Sequence, residues 1–194
     1  MIAVIDTGVA NLLSVANAIE RIGRPFIITR DAGVIGKASH VILPGVGHAQ
    51  ASMKSLAEIN LIPVIQQLKQ PLLGICLGMQ ILFEHTEEGD VPCLGLLPGR
   101  VTRIQDHGLS LPHMGWNSLE WQTPSPLLEG LAPGVRMYFV HSFQAPLNAT
   151  TRASTQYGEA IPALVSQDNY YGTQFHPERS GDMGSLILRN FLTL

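Results

Sequence analysis

The sequence has few charged residues for its length. Charged side chains make up 14% of the 194 residues, and 12 Lys and Arg against 15 Asp and Glu leave a formal net charge of −3. Such a balance provides no basic surface for nucleic acid or for an anionic membrane, so we expect neither partner. Because 45% of the residues are hydrophobic, the composition also excludes intrinsic disorder.

Cysteine is scarce as well, and long apolar runs are absent. Two cysteines, Cys76 and Cys93, cannot form a disulfide scaffold. The longest mostly apolar stretch, residues 71–83, is too short and too interrupted by glycine to span a bilayer. The sequence reaches Asp6 without a basic segment, so no secretory signal is expected. These features predict a cytoplasmic protein with reduced thiols.

Short apolar runs alternate with helical patterns in the first half of the chain. They predict strands at 2–5, 26–29, 41–43 and 72–75, and helices at 11–22, 56–68 (broken before Pro63) and 77–85. The second half predicts strands at 100–104, 137–140, 151–155, 163–165 and 171–175, and a closing helix at 182–191. We therefore predict one α/β domain over residues 1–194. Its fold is an open, mostly parallel twisted sheet with helices on both faces and a mixed or antiparallel extension.

The segment Gly74-Ile75-Cys76-Leu77-Gly78 has the form of a nucleophile elbow at a predicted strand-to-helix junction. Glycines allow the sharp turn, and the positive end of the following helix favours a thiolate. The N–H groups of Leu77 and Gly78 are candidate donors to an oxyanion. On these five residues alone, a buried structural cysteine beside packing glycines is an equal alternative.

A nucleophilic cysteine needs a base, and the base needs an orienting group. Among seven histidines, His176 has a carboxylate at a matching offset, in the segment His176-Pro177-Glu178. In an extended segment, side chains two residues apart share a face, so Glu178 can reach the ring of His176. Taken alone, the segment also fits a surface turn. Together with the elbow, it predicts a Cys-His-Glu triad.

The loop Pro44-Gly45-Val46-Gly47 follows a predicted strand and is the third candidate element. Two glycines at the carboxyl end of a strand suit a backbone N–H aimed at an oxyanion, although a plain turn explains them equally well. The loop lacks the third glycine of a dinucleotide-binding fingerprint. No histidine or cysteine spacing fits a metal site, so no metal and no cofactor are expected.

These motifs, in this order and spacing, resemble the triad-type (class I) glutamine amidotransferases. The likeness extends to segments 6–12, 112–117, 138–143 and 174–180, which are similar to the glutaminase subunits of imidazole glycerol phosphate synthases, and it covers essentially the whole chain. The segment Pro-His-Met-Gly-Trp-Asn at 112–117 is its most specific part. The resemblance implies hydrolysis of glutamine to glutamate and ammonia. A separate (β/α)8-barrel cyclase subunit would use that ammonia in histidine biosynthesis.

The resemblance also implies roles for individual residues. Cys76 would be the nucleophile, His176 the base and then the acid, and Glu178 the orienting group. Oxyanion or substrate contacts would come from Gly45, Val46, Gly47, Leu77, Gly78, Gln80, Ser142 and the backbone at Phe143. The interface with the cyclase would include Asn11, His113, Met114, Trp116, Asn117, Tyr138 and Arg179.

Three other functions remain open at this point. The chain is alternatively a stand-alone cysteine hydrolase, which would work at full rate without a partner. A catalytically silent binding module is a second alternative, against which the intact set of Cys76, His176 and Glu178 argues. The third is an amidotransferase subunit that feeds a different synthase, for example one that amidates a surface sugar.

Overall fold

The computed structural model describes residues 1–8, 12–121 and 123–194. Asn11, one of the predicted interface residues, lies outside this part of the chain. Within it, strands and helices alternate in the first half, and strands dominate the second half, as the sequence predicts.

The described residues form thirteen β-strands and six α-helices. The strands are β1 (Ile2–Ile5), β2 (Phe26–Thr29), β3 (His40–Gly45), β4 (Leu72–Cys76), β5 (Phe83–Thr86), β6 (Val91–Pro92), β7 (Leu97–Arg103), β8 (His113–Ser118), β9 (Arg136–His141), β10 (Phe143–Gln144), β11 (Thr151–Tyr157), β12 (Glu159–Gln167) and β13 (Tyr170–Thr173). The helices are α1 (Leu12–Ile22), α2 (Ala32–Lys37), α3 (Ala49–Glu58), α4 (Ile62–Gln66), α5 (Leu77–Gln80) and α6 (Gly181–Phe191). Short 3-10 helices lie at Pro126–Leu128 and Pro177–Arg179.

A seven-stranded sheet forms the centre of the fold, in the order β11-β12-β13-β4-β3-β1-β2. The five strands from β13 to β2 are parallel, whereas β12 and β11 are antiparallel additions at one edge. This arrangement confirms the predicted fold class. A four-stranded sheet (β10-β7-β5-β6) and the β8–β9 hairpin complete the strands.

Helices cover both faces of the central sheet because its strands are apolar on both sides. Along β1, Ala3 and Ile5 pack into one core together with residues of α2, α3 and α4. Ile2 and Val4 point to the other core, which contains residues of α1 and α6. Side chains of a strand alternate between the faces, so a continuous apolar run supplies both cores.

Two of the predicted helices are wrong in extent. The break predicted before Pro63 is confirmed, because α3 ends at Glu58 and α4 begins at Ile62 with Pro63 in its first turn, but α3 begins at Ala49 rather than at residue 56. Proline lacks an N–H, so it fits the start of a helix rather than its interior. The helix predicted at 77–85 ends at Gln80, and His85 belongs to β5. Hydrogen bonding of β5 to β7, a partner distant in sequence, replaces the local helical pattern.

One helix was not predicted at all. Helix α2 spans six residues, too few for a clear hydrophobic period, and buries Ile35. Its N-terminus is capped by Asp31, whose Oδ1 accepts a hydrogen bond of 2.8 Å from the Val34 N–H. Over the described residues, none of the helices is long and apolar enough to cross a bilayer.

Candidate active site

The carboxyl ends of three adjacent parallel strands bring the candidate residues together. In the pairing of β3 with β4, Gly45 lies opposite Cys76. On the other side of β4, Thr173 of β13 lies opposite Ile75. The segment that continues from β13 to His176 therefore runs beside the end of β4. Ligand sites of α/β sheets lie at this edge.

Cys76 is the turning point between β4 and α5. Its φ of 54° is a left-handed conformation that non-glycine residues rarely adopt, and such local strain is typical of functional sites. The flanking glycines permit the turn, since a Cβ at Gly74 would overlap the backbone of Gly78, and a Cβ at Gly78 would overlap the carbonyl of Leu43. The predicted elbow is therefore present at the predicted residues.

His176 and Glu178 form a buried hydrogen-bonded pair. The Nδ1 atom of His176 lies 2.8 Å from Oε1 of Glu178, and the two side chains are only 6% and 5% exposed. The loop that carries them is fixed to β9, because the His176 N–H donates to the Tyr138 carbonyl at 2.9 Å. Ser180 reinforces this link, since its hydroxyl donates to the His176 carbonyl at 2.7 Å and accepts from the Tyr138 N–H at 3.0 Å.

The surroundings of His176 favour its protonated form. Burial alone would lower its pKa, but the interactions with Cys76 and with Glu178 outweigh burial and raise the pKa to about 10. Among the described residues, Nε2 of His176 has no aligned hydrogen-bond partner. The Cys76 thiol instead donates to the Val140 carbonyl at 3.7 Å. Rotation of the sulfur away from Val140 would therefore release it toward the imidazole.

A cavity of about 410 Å³ opens beside the sulfur of Cys76, which is 7% exposed as a residue. The cavity contains the whole predicted triad and most of the predicted oxyanion and substrate residues. Those lining it are Gly45, Val46, Gly47, Cys76, Leu77, Gln80, Ser142, Phe143, His176 and Glu178. The structure thus brings together residues as far apart in the sequence as Gly45 and Glu178, which are 133 positions apart.

Two of the predicted substrate or oxyanion residues, Gly78 and Gln80, make close contacts within the protein itself. Gly78 does not line the cavity. Its N–H lies so close to Gly45 that a Cβ atom at Gly45 would overlap the Gly78 nitrogen. The amide nitrogen of Gln80 donates to the Phe143 carbonyl and to Oε1 of Gln174, both at 2.9 Å. Gln80 lines the cavity while its amide nitrogen is engaged in these two contacts.

Several residues at the site escaped the sequence analysis. Val140 and His141 are two of them and line the cavity at the end of β9. Glu88 and Arg103 line the cavity with opposite charges, and Gln174 donates from Nε2 to the sulfur of Cys76 at 3.7 Å. Glu88 reaches the site from the turn after β5, and Arg103 from the end of β7. Both strands belong to the second sheet, whose pairing no local pattern predicts. Gln174 is the first residue of the segment 174–180 that carries part of the family likeness, and its position two residues before His176 was the available signal.

The β8–β9 hairpin presents an apolar face near the cavity. Met114 and Trp116 are 61% and 48% exposed. The Trp116 ring packs edge-on against Tyr138, and the Arg179 guanidinium lies 6.0 Å from the Tyr138 ring centre. These four residues, Met114, Trp116, Tyr138 and Arg179, are called the hairpin face below.

The other two predicted interface residues of this segment point inward. His113 and Asn117 alternate with Met114 and Trp116 along β8, so they lie on its opposite side. His113 is buried, with its ring stacked between Phe139 and Tyr157. In the described ranges, no group of three or more His, Cys, Asp or Glu side chains has an arrangement that could hold a metal ion.

Comparison with known proteins identifies the family. Residues 3–194 match the family model described as glutamine amidotransferase class-I. The chain is 51% identical over 195 residues to imidazole glycerol phosphate synthase subunit HisH 2 of Legionella pneumophila (strain Paris), with 100% of this chain and 98% of that protein covered. It is 48% identical to subunit HisH of Idiomarina loihiensis, covering 100% of this chain and 97% of that protein.

Solved structures show the same fold at much lower sequence identity. A crystal structure of a glutamine amidotransferase superposes with a TM-score of 0.76 at 21% identity, covering 98% of this chain and 97% of that one. PurLQS from Thermotoga maritima gives a TM-score of 0.72 at 20% identity, covering 99% of this chain and 97% of that one. With the family match over nearly its whole length, the chain belongs to the class-I glutamine amidotransferases.

Proposed function

We propose that this chain hydrolyses glutamine to glutamate and ammonia, and that the ammonia passes to a separate cyclase subunit that forms imidazole glycerol phosphate in histidine biosynthesis. The observation that carries the proposal is the His176–Glu178 pair beside Cys76 at a strained elbow, facing one cavity. The full-length similarity to HisH subunits supports the choice of acceptor.

The triad accounts for the first half of the reaction. Glu178 accepts the Nδ1–H of His176, which leaves Nε2 for proton transfer on the side of Cys76. The thiolate of Cys76 forms a bond to the carboxamide carbon of glutamine, and the carbonyl electron pair moves to oxygen. His176 then gives its proton to the leaving nitrogen, so ammonia departs and a thioester remains.

Water completes the cycle. His176, now neutral, takes a proton from a water molecule that adds to the thioester carbon. The carbon–sulfur bond breaks, glutamate is released, and Cys76 and His176 return to their starting protonation states. Backbone N–H groups of the loop Gly45–Gly47 and of Leu77 are our proposed donors to the oxyanion in both halves.

The charged lining of the cavity suits an α-amino acid. Glu88 carries a negative charge and Arg103 a positive one, which match the α-ammonium and α-carboxylate groups of glutamine. Gln80 and Ser142 add polar contacts, together with the backbone at Phe143. We propose that these groups select a free amino acid over a peptide.

The hairpin face supports a docking role. Ammonia becomes ammonium in neutral water and is then no longer a nucleophile, so the acceptor must receive it through a dry contact close to the triad. Exposed Met and Trp with a neighbouring Tyr and Arg are residue types enriched at protein interfaces. We propose that the hairpin face binds the cyclase and that this cyclase is a (β/α)8 barrel.

Two broader features complete the proposal. We propose that residues 1–194 act as one domain, because strands from Ile2 to Thr173 share the central sheet. Both cysteines, Cys76 and Cys93, are free thiols, as is usual in a reducing compartment, so we propose that the protein acts in the cytoplasm.

The test of the function is a reconstitution. The chain is mixed with the cyclase subunit from the same genome, and glutamate and imidazole glycerol phosphate are measured with glutamine as the nitrogen source. We expect both products in equal amounts. Full-rate glutamate release by the chain alone, unchanged by the cyclase, would instead favour the stand-alone hydrolase.

A further inference from the structure

The sulfur of Cys76 has another polar neighbour besides the catalytic pair and the Val140 carbonyl, which accepts from the thiol form. Gln174 follows β13 directly, and its side chain is completely buried. Its Nε2 atom donates to the Cys76 sulfur at 3.7 Å, and its Oε1 atom accepts a hydrogen bond of 2.9 Å from Nε2 of Gln80. Both ends of the Gln174 amide are therefore engaged.

A backbone carbonyl determines which end of this amide faces the sulfur. Nε2 of Gln80 also donates to the Phe143 carbonyl at 2.9 Å. A carbonyl oxygen can only accept, so the NH2 group of Gln80 must point at it. The oxygen of Gln174 must then face the same NH2 group, which leaves the NH2 group of Gln174 to point at Cys76.

The Phe143 carbonyl is itself fixed by a buried histidine pair. Nδ1 of His141 donates to this carbonyl at 2.8 Å, and Nε2 of His141 accepts from Nδ1 of His113 at 2.9 Å. The amide nitrogen of Asn117 donates in turn to Nε2 of His113 at 3.2 Å. Burial lowers the pKa of His113 to about 4 and is the main cause that lowers that of His141 to about 3. Both rings therefore stay neutral, as a ring that donates and accepts must be.

We propose that Gln174 is a positioning residue that holds the Cys76 sulfur as a thiolate, and that His141 acts on it through the Phe143 carbonyl and Gln80. This inference rests on the proposed role of Cys76 as the nucleophile. An N–H donor favours the charged form of its acceptor, and hydrogen bonds to charged groups are stronger than neutral ones. The other titratable or charged groups that line the cavity with Cys76 are His176, Glu178 and Arg179 after β13, His141 at the end of β9, Arg103 at the end of β7 and Glu88 after β5.

The test compares alkylation of Cys76 with turnover of glutamine. Gln174→Met keeps the length of the side chain and removes its amide. In this variant we expect the pH midpoint of Cys76 alkylation by iodoacetamide to rise by about one unit, which corresponds to a tenfold smaller thiolate fraction at pH values below both midpoints. In the complex with the cyclase, assayed at such a pH, kcat should fall about tenfold while KM stays close to its original value. Peptide-resolved mass spectrometry separates Cys76 from Cys93.

Gln144→Met is the matched control, because it makes the same change at another buried glutamine. Its amide donates to Glu159, away from Cys76, so the alkylation midpoint should not move. Should Gln174→Met fail to fold, Gln174→Glu provides the second variant. Its carboxylate can still accept from Gln80 but offers the sulfur no N–H, so the midpoint should again rise.

Variants of His141 test whether this residue acts on Gln174 through the Phe143 carbonyl and Gln80. His141→Leu removes the donor to the Phe143 carbonyl, and the alkylation midpoint should rise as in the Gln174 variants. His141→Asn places an amide N–H near the position of Nδ1 and should restore the original midpoint. Equal midpoints for His141→Leu and His141→Asn would overturn the role of His141.

An unchanged midpoint in folded Gln174→Met, or in folded Gln174→Glu, would overturn the role of Gln174. Alkylation needs no glutamine turnover. A failure of the proposed function would be seen separately, as no glutamate release by the unsubstituted complex.

Discussion

Nδ1 of His176 lies 2.8 Å from Oε1 of Glu178, and both side chains are buried beside Cys76. The expected extended segment is wrong, because a 3-10 helix at Pro177–Arg179 carries Glu178 and its turn brings the carboxylate back to the ring. This contact fixes the tautomer of the imidazole, because a carboxylate accepts only from a protonated Nδ1. The other ring nitrogen is thereby assigned to proton transfer. The first prediction follows from this division of roles.

His176→Ala should lower glutamate release more than Glu178→Gln does. Loss of the base removes proton transfer, which contributes roughly 10²–10⁴-fold, whereas glutamine at position 178 retains an oxygen that can accept from Nδ1. The measurement is the steady-state rate of glutamate release by each variant in complex with the cyclase. Greater activity in His176→Ala than in Glu178→Gln would show that the roles are misassigned.

Gly78→Ala should destabilise the fold at the elbow. A Cβ at this position would overlap the carbonyl oxygen of Leu43, and backbone atoms cannot move aside cheaply. We expect a loss of about 3 kcal/mol or more in the free energy of unfolding, measured by urea denaturation. Gly36→Ala in α2 is the control, since a Cβ there meets nothing within 4 Å. The control should gain about 0.5–1 kcal/mol, and equal stabilities of the two variants would contradict the close packing at the elbow.

The buried histidine pair should make the fold sensitive to acid. The pKa of His141 in the folded state, about 3, lies below its ordinary value of 6.5. Its contribution to stability is therefore complete above pH 6.5 and is lost as the pH falls from there toward 3. Between pH 7.5 and 5, the original chain should lose about 2 kcal/mol more unfolding free energy than His141→Asn, which does not titrate. If the curves of unfolding free energy against pH were parallel for the original chain and His141→Asn, they would contradict a neutral His141 ring in the folded state.

The cyclase should activate the glutaminase. The loop Gly45–Gly47 provides the proposed oxyanion donor, and Gly47, with a φ of +91°, already has a conformation suited to glycine. Rotation of a peptide in this loop would remove or supply a donor worth about 10²–10³ in rate, or roughly 3–4 kcal/mol. We expect glutamate release to rise at least about a hundredfold when the cyclase and its ligand are added.

The hairpin face provides the control for this activation. Trp116→Ala should shift the activation to higher cyclase concentrations, because central aromatic residues contribute much of the binding energy at interfaces. Equal rates for the chain alone, the complex, and the complex with ligand would contradict gating by the partner.

Much of the parallel sheet could be predicted from the sequence, because its signals are local. The apolar run at Leu72–Cys76 and the glycines around Cys76 define the strand and the elbow without reference to any partner strand. The offset between His176 and Glu178 is likewise local. In contrast, β5 contains residues of a helical pattern, and its pairing with β7 decides its conformation.

Dependence on tertiary packing also explains which site residues could not be predicted from the sequence. Glu88 reaches the cavity because the second sheet packs beside the first, and the role of Gln174 depends on Gln80, 94 positions away. At the hairpin, His113, Met114, Trp116 and Asn117 were predicted as interface residues. The strand conformation exposes Met114 and Trp116 and buries His113. Contacts over such separations follow from tertiary packing, which no local pattern contains.

The central claim is that Cys76 is the nucleophile for glutamine. Its most direct test is mass spectrometry of the complex after treatment with an electrophile that mimics glutamine. Burial and the charge of Glu88 raise the pKa of Cys93 to about 11, so that thiol stays protonated at neutral pH. We predict a single adduct on Cys76, unchanged in Cys93→Ala, and no adduct and no glutaminase activity in Cys76→Ala. An adduct on Cys93 alone, or full activity in Cys76→Ala, would contradict the account.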